Sequence, residues 1–168
     1  MATKNDAAAE SAEREFVITR VFDAPRELVW KAFTESERVE RWWGPKGFTT
    51  RVFKLNLRPG GVMHFRMRSP EGRDFWSKGV YREIIEPERI VLIASFSDEN
   101  GSTVQPARHG MSPDWPAEAL VTVTFAEHEG KTRLALHLGV SESLAKRQGA
   151  DVGWAETLDR LSGYLATA

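Results

Sequence analysis

Residues 57–85 read LRPGGVMHFRMRSPEGRDFWSKGVYREII, and this stretch indicates how the middle of the chain folds. Apolar Met63, Phe65 and Met67 alternate with polar residues, which is the period-two pattern of a β-strand with one buried face. The clusters at 58–61 and 69–72 combine Gly with Pro and predict turns at both ends of this strand. The stretch therefore predicts antiparallel strands joined by short turns.

Similar strand patterns lie on both sides of this stretch. A β-rich run at 15–22 predicts a first strand, and alternating apolar residues predict others around Phe53, Val123 and Leu136. Near the end, an apolar stripe at helical spacing predicts one helix from about Glu142 to Ala166. This stripe is formed by Trp154, Leu158, Leu161 and Leu165.

Two short helices are predicted directly after the first strand. Asp23 and Pro25 favour a helix start, and Gly44-Pro45 favours a helix end. Thr34 and Glu37 fit a capping box at the start of the second helix. The element order predicts an α+β fold, with a curved antiparallel sheet of about six or seven strands wrapped around a long C-terminal helix. One helix cannot fill the whole concave face, so we expect a cavity between helix and sheet.

Composition limits the function classes. The 168 residues fit one domain, which we predict to span 15–168 after a flexible N-terminal tail at 1–14. The net charge of −1 gives no general attraction to nucleic acid, and no apolar run approaches the length needed for membrane insertion. The absence of cysteine and of a signal-peptide core agrees with a cytoplasmic protein. The sequence leaves the oligomeric state open, a homodimer included.

The segment 98–116 interrupts the strand pattern with three prolines, His109, Met111 and Trp115. Loops of this length in compact domains are often functional. It is interpreted either as a lid over a ligand or as an ordered crossover that covers a sheet edge.

Several motifs together resemble the START-like ligand-binding superfamily. They are FDAPRELVWKAFTESERVERWWGPKGFT (22–49), LRPGG (57–61), GVYREIIEPERIV (79–91), VTVTF (121–125), TRLALHL (132–138) and GWAETLDRLSGYL (153–165). Within the superfamily they are most similar to the branch named after the C-terminal domain of the heat-shock-protein-90 ATPase activator. The resemblance covers about Glu15 to Tyr164 and implies the helix-grip fold with a central cavity. One departure is Asn56, where an acidic residue is expected in many relatives.

Large apolar residues and one tyrosine are the candidates for contact with a ligand in this cavity. Aromatic side chains and Met line many ligand pockets, although the same residues also fill ordinary cores. We predict ligand contacts from Trp42, Trp43, Phe65, Met67, Phe75, Tyr81, Phe96, Met111, Trp115, Trp154 and Leu158. The four histidines show no metal-ligand spacing, so we expect no metal and no other cofactor.

Candidates for catalysis are few. His137 and Glu83 are the titratable residues to consider, because a histidine that faces the cavity could act as a general acid or base. The alternative places His137 on the solvent face of its strand, and the strand pattern favours that alternative. The same alternation predicts that Arg66 and Arg68 face solvent.

Three functions are compatible with these observations. The first is binding of a small hydrophobic or amphipathic molecule in the cavity, and it is the one we favour. The second is an enzyme of the cyclase, dehydratase or hydrolase type acting on a polyketide-like substrate. The third is a chaperone-interaction module, which is less favoured because the full co-chaperone carries a further N-terminal domain for which this sequence has no room.

Overall fold

The computed structural model describes residues 14–168 and confirms the predicted α+β fold. Residues 1–13, and with them nearly all of the predicted N-terminal tail, lie outside the described residues. The seven strands are β1 (Glu15–Phe22), β2 (Thr49–Leu55), β3 (Val62–Arg68), β4 (Asp74–Ile85), β5 (Arg89–Phe96), β6 (Ala119–His128) and β7 (Lys131–Ser141). The helices are α1 (Arg26–Thr34), α2 (Ser36–Trp42), α3 (Glu142–Arg147) and α4 (Ala150–Thr167), with a 3₁₀ helix at Pro106–His109.

The strands form one antiparallel sheet in the order β1-β7-β6-β5-β4-β3-β2. Consecutive strands are neighbours except for β1, which pairs with β7 at the far end of the chain. Helices α1 and α2 connect β1 with β2, which lie at opposite edges of the sheet. The predicted number of strands and the position of the two short helices after the first strand are confirmed.

Strand alternation divides the sheet into a concave face that contacts the helices and a convex face. On β7, Leu134, Leu136 and Leu138 are buried on the concave face, while Arg133 and His137 are exposed on the other. Arg66 and Arg68 also lie on the convex face, where the Arg66 guanidinium carbon is 5.8 Å from the centre of the Trp76 ring. The alternation predicted for these two strands is therefore observed.

The predicted capping box between the first two helices is wrong. Helix α1 ends at Thr34, whose hydroxyl donates to the Trp30 carbonyl within the same helix. Glu35 is the N-cap of α2, its side chain makes no capping bond, and it pairs instead with Arg38. The backbone turns at Glu35 in an extended conformation, so Thr34 is still part of α1 and is not available to begin the next helix.

The C-terminal helix is also shorter than predicted. Gln148 and Gly149 separate α3 from α4, and Gly149 has a left-handed backbone conformation with φ of 76°. Glycine adopts this conformation without the steric cost that a Cβ atom imposes. The long helix that packs on the sheet is therefore α4, and its Leu158, Leu161 and Leu165 are buried as the stripe predicts.

Candidate functional site

A cavity of about 230 Å³ lies between the concave face and the N-terminal part of α4. Strands β3 to β7 contribute to its lining, together with Trp43 after α2 and with Ala150 and Trp154 of α4. Most of the surface that surrounds it is apolar.

Small side chains on the concave face leave this space empty. Ser77 and Gly79 of β4, Ala94 of β5 and Ala119 of β6 all face the cavity, and we call these four residues the floor. A Cβ atom built on Gly79 would lie 3.0 Å from Leu92 Cδ1, so even one methyl group there would crowd the neighbouring strand. Since interiors are usually close-packed, four small residues at adjacent inward positions produce a void unless a larger side chain covers them.

Aromatic side chains form a large part of the wall around the floor. Apart from Tyr81, they are Phe33, Trp43, Phe65, Phe96, Trp115 and Trp154. Trp43 links both sides of the wall, because its ring centre is 5.6 Å from that of Phe65 and 5.6 Å from that of Trp154. Both pairs are edge-to-face, a favourable arrangement for aromatic rings.

Arg160 of α4 fixes the backbone around Trp43. Its Nη1 atom donates to the carbonyls of Gly44 at 2.9 Å and Pro45 at 3.1 Å, and approaches the Trp43 carbonyl at 3.4 Å. The Trp43 carbonyl also accepts from the Thr50 hydroxyl. Burial lowers the pKa of Arg160 from its ordinary value. One guanidinium thus ties the turn after α2 to the helix that covers the cavity.

Tyr81 supplies the most buried hydroxyl of the cavity. Only 2% of the residue is exposed, and among residues 14–168 its Oη atom has one recorded partner, Met63 Sδ at 3.7 Å. A thioether sulfur is a weak acceptor, so this donor lacks a strong partner. Burial raises the pKa of Tyr81 to about 12, and the phenol is therefore neutral at physiological pH.

The predicted turn at 58–61 holds the backbone of Tyr81. Gly60 donates its N–H to the Tyr81 carbonyl at 2.7 Å, and the Tyr81 N–H donates to the Gly61 carbonyl at 2.9 Å. A Cβ atom on Gly61 would lie 1.9 Å from the carbonyl oxygen of Asn56, so only glycine fits there. Asn56 takes part through its backbone, since its N–H donates to the Val62 carbonyl and its carbonyl accepts from the Arg58 N–H.

The segment 97–118 joins β5 to β6, which are neighbours in the middle of the sheet. It therefore covers the end of these strands, and the predicted crossover that covers a sheet edge is wrong. Its Trp115 and Pro116 line the cavity. The Ser112 N–H donates to Gln148 Oε1 at 2.8 Å, which connects the segment to the junction between α3 and α4.

Seven of the predicted ligand-contact residues line the cavity, and four do not. Those that line it are Trp43, Phe65, Met67, Tyr81, Phe96, Trp115 and Trp154. Those that do not are Trp42, Phe75, Met111 and Leu158.

Each of the four has other neighbours. Trp42 is fully buried beneath Phe33 and donates its indole N–H to the Ala32 carbonyl. Leu158 is fully buried along the inner face of α4. Phe75 lies on the concave face beyond the cavity, with its ring 6.1 Å from Phe48.

Met111 is half-buried, follows Gly110 at the end of the 3₁₀ helix, and donates its N–H to the Pro106 carbonyl.

Both candidate catalytic residues lie on the convex face. His137 pairs with Glu15 and Glu83 pairs with Arg89, and all four side chains are about half exposed to solvent. The apolar face of β7 turns inward, which directs His137 away from the cavity. The structure therefore does not bring these residues to the site.

The four floor residues and Phe33 are not among the ligand-contact residues predicted from the sequence. That prediction rests on large apolar side chains, whereas the cavity depends on the absence of large side chains at inward positions. The sequence does contain a pattern that could have predicted the floor. Ser77, Gly79 and Ala94 are small residues at alternating positions in strands that also carry aromatic residues.

Within 14–168 there is no cluster of three or more His, Cys, Asp or Glu residues that could hold a metal ion. None of the helices in this part of the chain combines the length and apolar character required to cross a membrane.

Comparison with known proteins identifies the family. Residues 23–166 match the sequence model of the family described as Activator of Hsp90 ATPase homolog 1-like protein. None of the curated proteins matches the chain.

Similar solved structures come from several bacteria. A Mycobacterium smegmatis protein is 26% identical with a TM-score of 0.70, covering 89% of this chain and 86% of its own. An Arthrobacter aurescens protein is 22% identical with a TM-score of 0.78, and the match covers 95% of this chain and 88% of that protein. The AHSA1 protein of Silicibacter pomeroyi is 19% identical with a TM-score of 0.70, covering 92% and 99%.

The two structures below 25% identity establish the fold alone, whereas the family model spans most of the sequence. The chain therefore belongs to the Activator of Hsp90 ATPase homolog 1-like family, a branch of the START-like superfamily.

Proposed function

We propose that this protein binds a small hydrophobic or amphipathic molecule in the cavity between the sheet and α4. The observation that carries this proposal is the floor of small residues surrounded by aromatic side chains, which leaves about 230 Å³. An apolar cavity of about 150 Å³ already holds a benzene molecule. The space therefore suits a molecule somewhat larger than one ring.

Dispersion contacts and the burial of apolar surface favour a bound ligand over an empty cavity. Aromatic rings that border a void lose the dispersion contacts they would make in a filled core. A ligand of matching shape restores these contacts and buries its own apolar surface, at about 25 cal/mol for each Å². The floor residues would be an unexplained cost to stability if they served only to build a core.

The proposed partner is a small apolar molecule, and we place the binding in the cytoplasm, the compartment predicted from the sequence. No role in nucleic-acid binding or membrane insertion is proposed. The enzyme and chaperone-interaction alternatives and the homodimer stay predictions from the sequence.

The test uses N-phenyl-1-naphthylamine, a neutral probe whose fluorescence rises in apolar sites. We expect saturable binding of one probe per chain. Ala94→Leu fills the floor and should weaken binding about tenfold or more, because the added atoms occupy the ligand's volume. Ala135→Leu makes the same change on the convex face of β7 and should leave binding within twofold.

Equal probe affinity in the Ala94→Leu and wild-type proteins would overturn the proposal. Native mass spectrometry of the purified protein provides a second measurement, because a molecule that co-purifies is released on denaturation and can be identified by its mass. Such a molecule should be absent from the Ala94→Leu protein and present in the Ala135→Leu protein.

A further inference from the structure

We infer that the ligand is a neutral aromatic compound of one or two rings that carries an oxygen acceptor for the hydroxyl of Tyr81. This inference rests on the proposed function and names the chemical class that the cavity selects. Aryl ketones, aldehydes and esters belong to this class.

The hydroxyl of Tyr81 is a hydrogen-bond donor that a ligand oxygen can use. Tyr81 is almost completely buried, and its hydroxyl faces only the weak acceptor Met63 Sδ among residues 14–168. A buried donor without a good acceptor is costly, so a ligand oxygen at this place gains more than the same oxygen would gain at the surface. The turn at 58–61 fixes the Tyr81 backbone by two hydrogen bonds, which means that the donor is held in place before a ligand binds.

Among residues 14–168, no cationic side chain points into the cavity. Lys78 is among the residues that border it, but the strand alternation directs its side chain to the convex face beside His64. Transfer of an unpaired carboxylate into such a site is strongly unfavourable. The phenol of Tyr81 is itself neutral and donates a single hydrogen bond. The cavity therefore selects a neutral oxygen over a carboxylate.

The shape of the cavity favours a planar ligand. Tyr81 and Ser77 lie on the same face of β4 with Gly79 between them, and four residues of a strand span about 13 Å. Gly79 and Ala94 are paired across β4 and β5, and the Leu92 side chain leans over Gly79, so the open part of the floor lies at Ala94. Trp43 and Trp154 line the same cavity with their rings nearly perpendicular to each other. A planar ring system fits over Ala94 beside Leu92 and makes edge or face contacts with the indoles.

The two hydroxyls also give the ligand a direction. Tyr81 is nearly inaccessible, whereas Ser77 is half-buried at the other end of the cavity. The acceptor oxygen of the ligand therefore points to the deep end at Tyr81, and any second polar group lies toward Ser77.

Three naphthalenes of similar size test this inference on the full chain, by displacement of N-phenyl-1-naphthylamine. They are 2-acetylnaphthalene, which carries the acceptor, 2-ethylnaphthalene, which lacks it, and 2-naphthoate, which is charged. Tyr81→Phe should weaken the ketone about 3- to 10-fold, the usual range for loss of one hydrogen bond, and leave the hydrocarbon within twofold. The wild-type protein should bind the naphthoate at least about 100-fold more weakly than the ketone.

Tyr164→Phe is the matched control. Tyr164 is the only other tyrosine of the chain, and its hydroxyl accepts from Arg38 away from the cavity. This variant should bind all three compounds as the wild-type protein does. The infrared carbonyl stretch of the bound ketone distinguishes a hydrogen bond from Tyr81 from a purely structural role of this residue. It should lie at lower frequency in the wild-type and Tyr164→Phe proteins than in Tyr81→Phe.

Unchanged ketone affinity in Tyr81→Phe would overturn the inference, and so would an equal weakening of ketone and hydrocarbon. Binding of N-phenyl-1-naphthylamine without displacement by any naphthalene would overturn the chemical class and leave the proposed function standing. Failure of that probe and of all three naphthalenes to bind would count against both.

Discussion

The concave face of the sheet has two halves that differ in side-chain size and not in backbone pattern. In the packed half, formed by β1, the start of β7 and the end of β6, Leu134 is fully buried and Phe125 packs edge-to-face on Trp30 and Phe33. In the hollow half, formed by β3 to β5 and the start of β6, the inward positions include the four floor residues. The same alternation thus builds a core in one half and a cavity in the other, which shows that side-chain volume alone can create a site.

The largest expected loss of stability comes from truncating a leucine, and one leucine from each half of the concave face allows a comparison. Leu134→Ala should lower the free energy of unfolding by about 3–5 kcal/mol, because it opens a new cavity among close-packed neighbours. Leu92→Ala should cost only about 1–2 kcal/mol, since Leu92 already borders empty space and loses fewer contacts. Urea denaturation measures both values. Equal losses would mean that the hollow half is as tightly packed as the other.

The next largest difference is expected when an alanine is enlarged to leucine in each half. Ala32 of α1 is fully buried in the packed half, so Ala32→Leu should overpack it and cost about 1–3 kcal/mol. Ala94→Leu should cost less than about 1 kcal/mol, because the added atoms enter the cavity. Thermal and urea unfolding of both variants provide the measurement. A larger loss in Ala94→Leu than in Ala32→Leu would contradict the comparison.

The pH dependence of stability tests how dry the hollow half is. The pKa of Tyr81 rises from 10.0 to about 12 on burial, so this residue's contribution is fully present below pH 10 and is lost as pH rises toward 12. At pH 11 the wild-type protein should have lost about 1.4 kcal/mol relative to Tyr81→Phe, the equivalent of one pH unit. Urea unfolding at pH 8 and pH 11 measures this difference. An identical pH dependence in both proteins would show that water reaches the phenol.

The smallest expected change in stability comes from removing one buried hydroxyl group, and each half of the concave face offers one. Thr132 is fully buried and donates to the Ala24 carbonyl at 2.8 Å, so Thr132→Val should cost about 1–2 kcal/mol by leaving that carbonyl without its partner. Tyr81→Phe should change stability at pH 8 by less than about 0.5 kcal/mol, because its hydroxyl loses only a thioether contact. Differential scanning calorimetry resolves these changes. A loss above 1 kcal/mol in Tyr81→Phe would reveal a stronger partner for the phenol.

The order of strands and the direction of most side chains could be predicted from the sequence, because alternation and turn residues are local signals. Met63, Phe65 and Met67 were placed on one face by this pattern, and the structure agrees. The break at Gly149 was missed, since a glycine near a helical stripe is compatible with either a continuous helix or a cap.

The cavity itself could be predicted only in part. Trp42 and Trp43 are adjacent, and sequence gives no means to decide which indole points into the core and which borders the cavity. That choice depends on the direction of the chain after α2, which Arg160 fixes from more than a hundred residues away. The floor was missed because a void is a property of several strands together.

The pairing of β1 with β7 has a consequence for the synthesis of the protein. Residues 23–130 separate these strands, so at the usual 5–20 residues per second a ribosome needs roughly 5–20 s to add β7 after β1. During this interval β1 lacks its one neighbour in the sheet, and apolar Phe16, Ile18 and Phe22 have no β7 to pack beside. Pairing of the first strand must therefore wait until β7 has been made, and a nascent chain that stalls before residue 131 presents an unpaired strand to its surroundings.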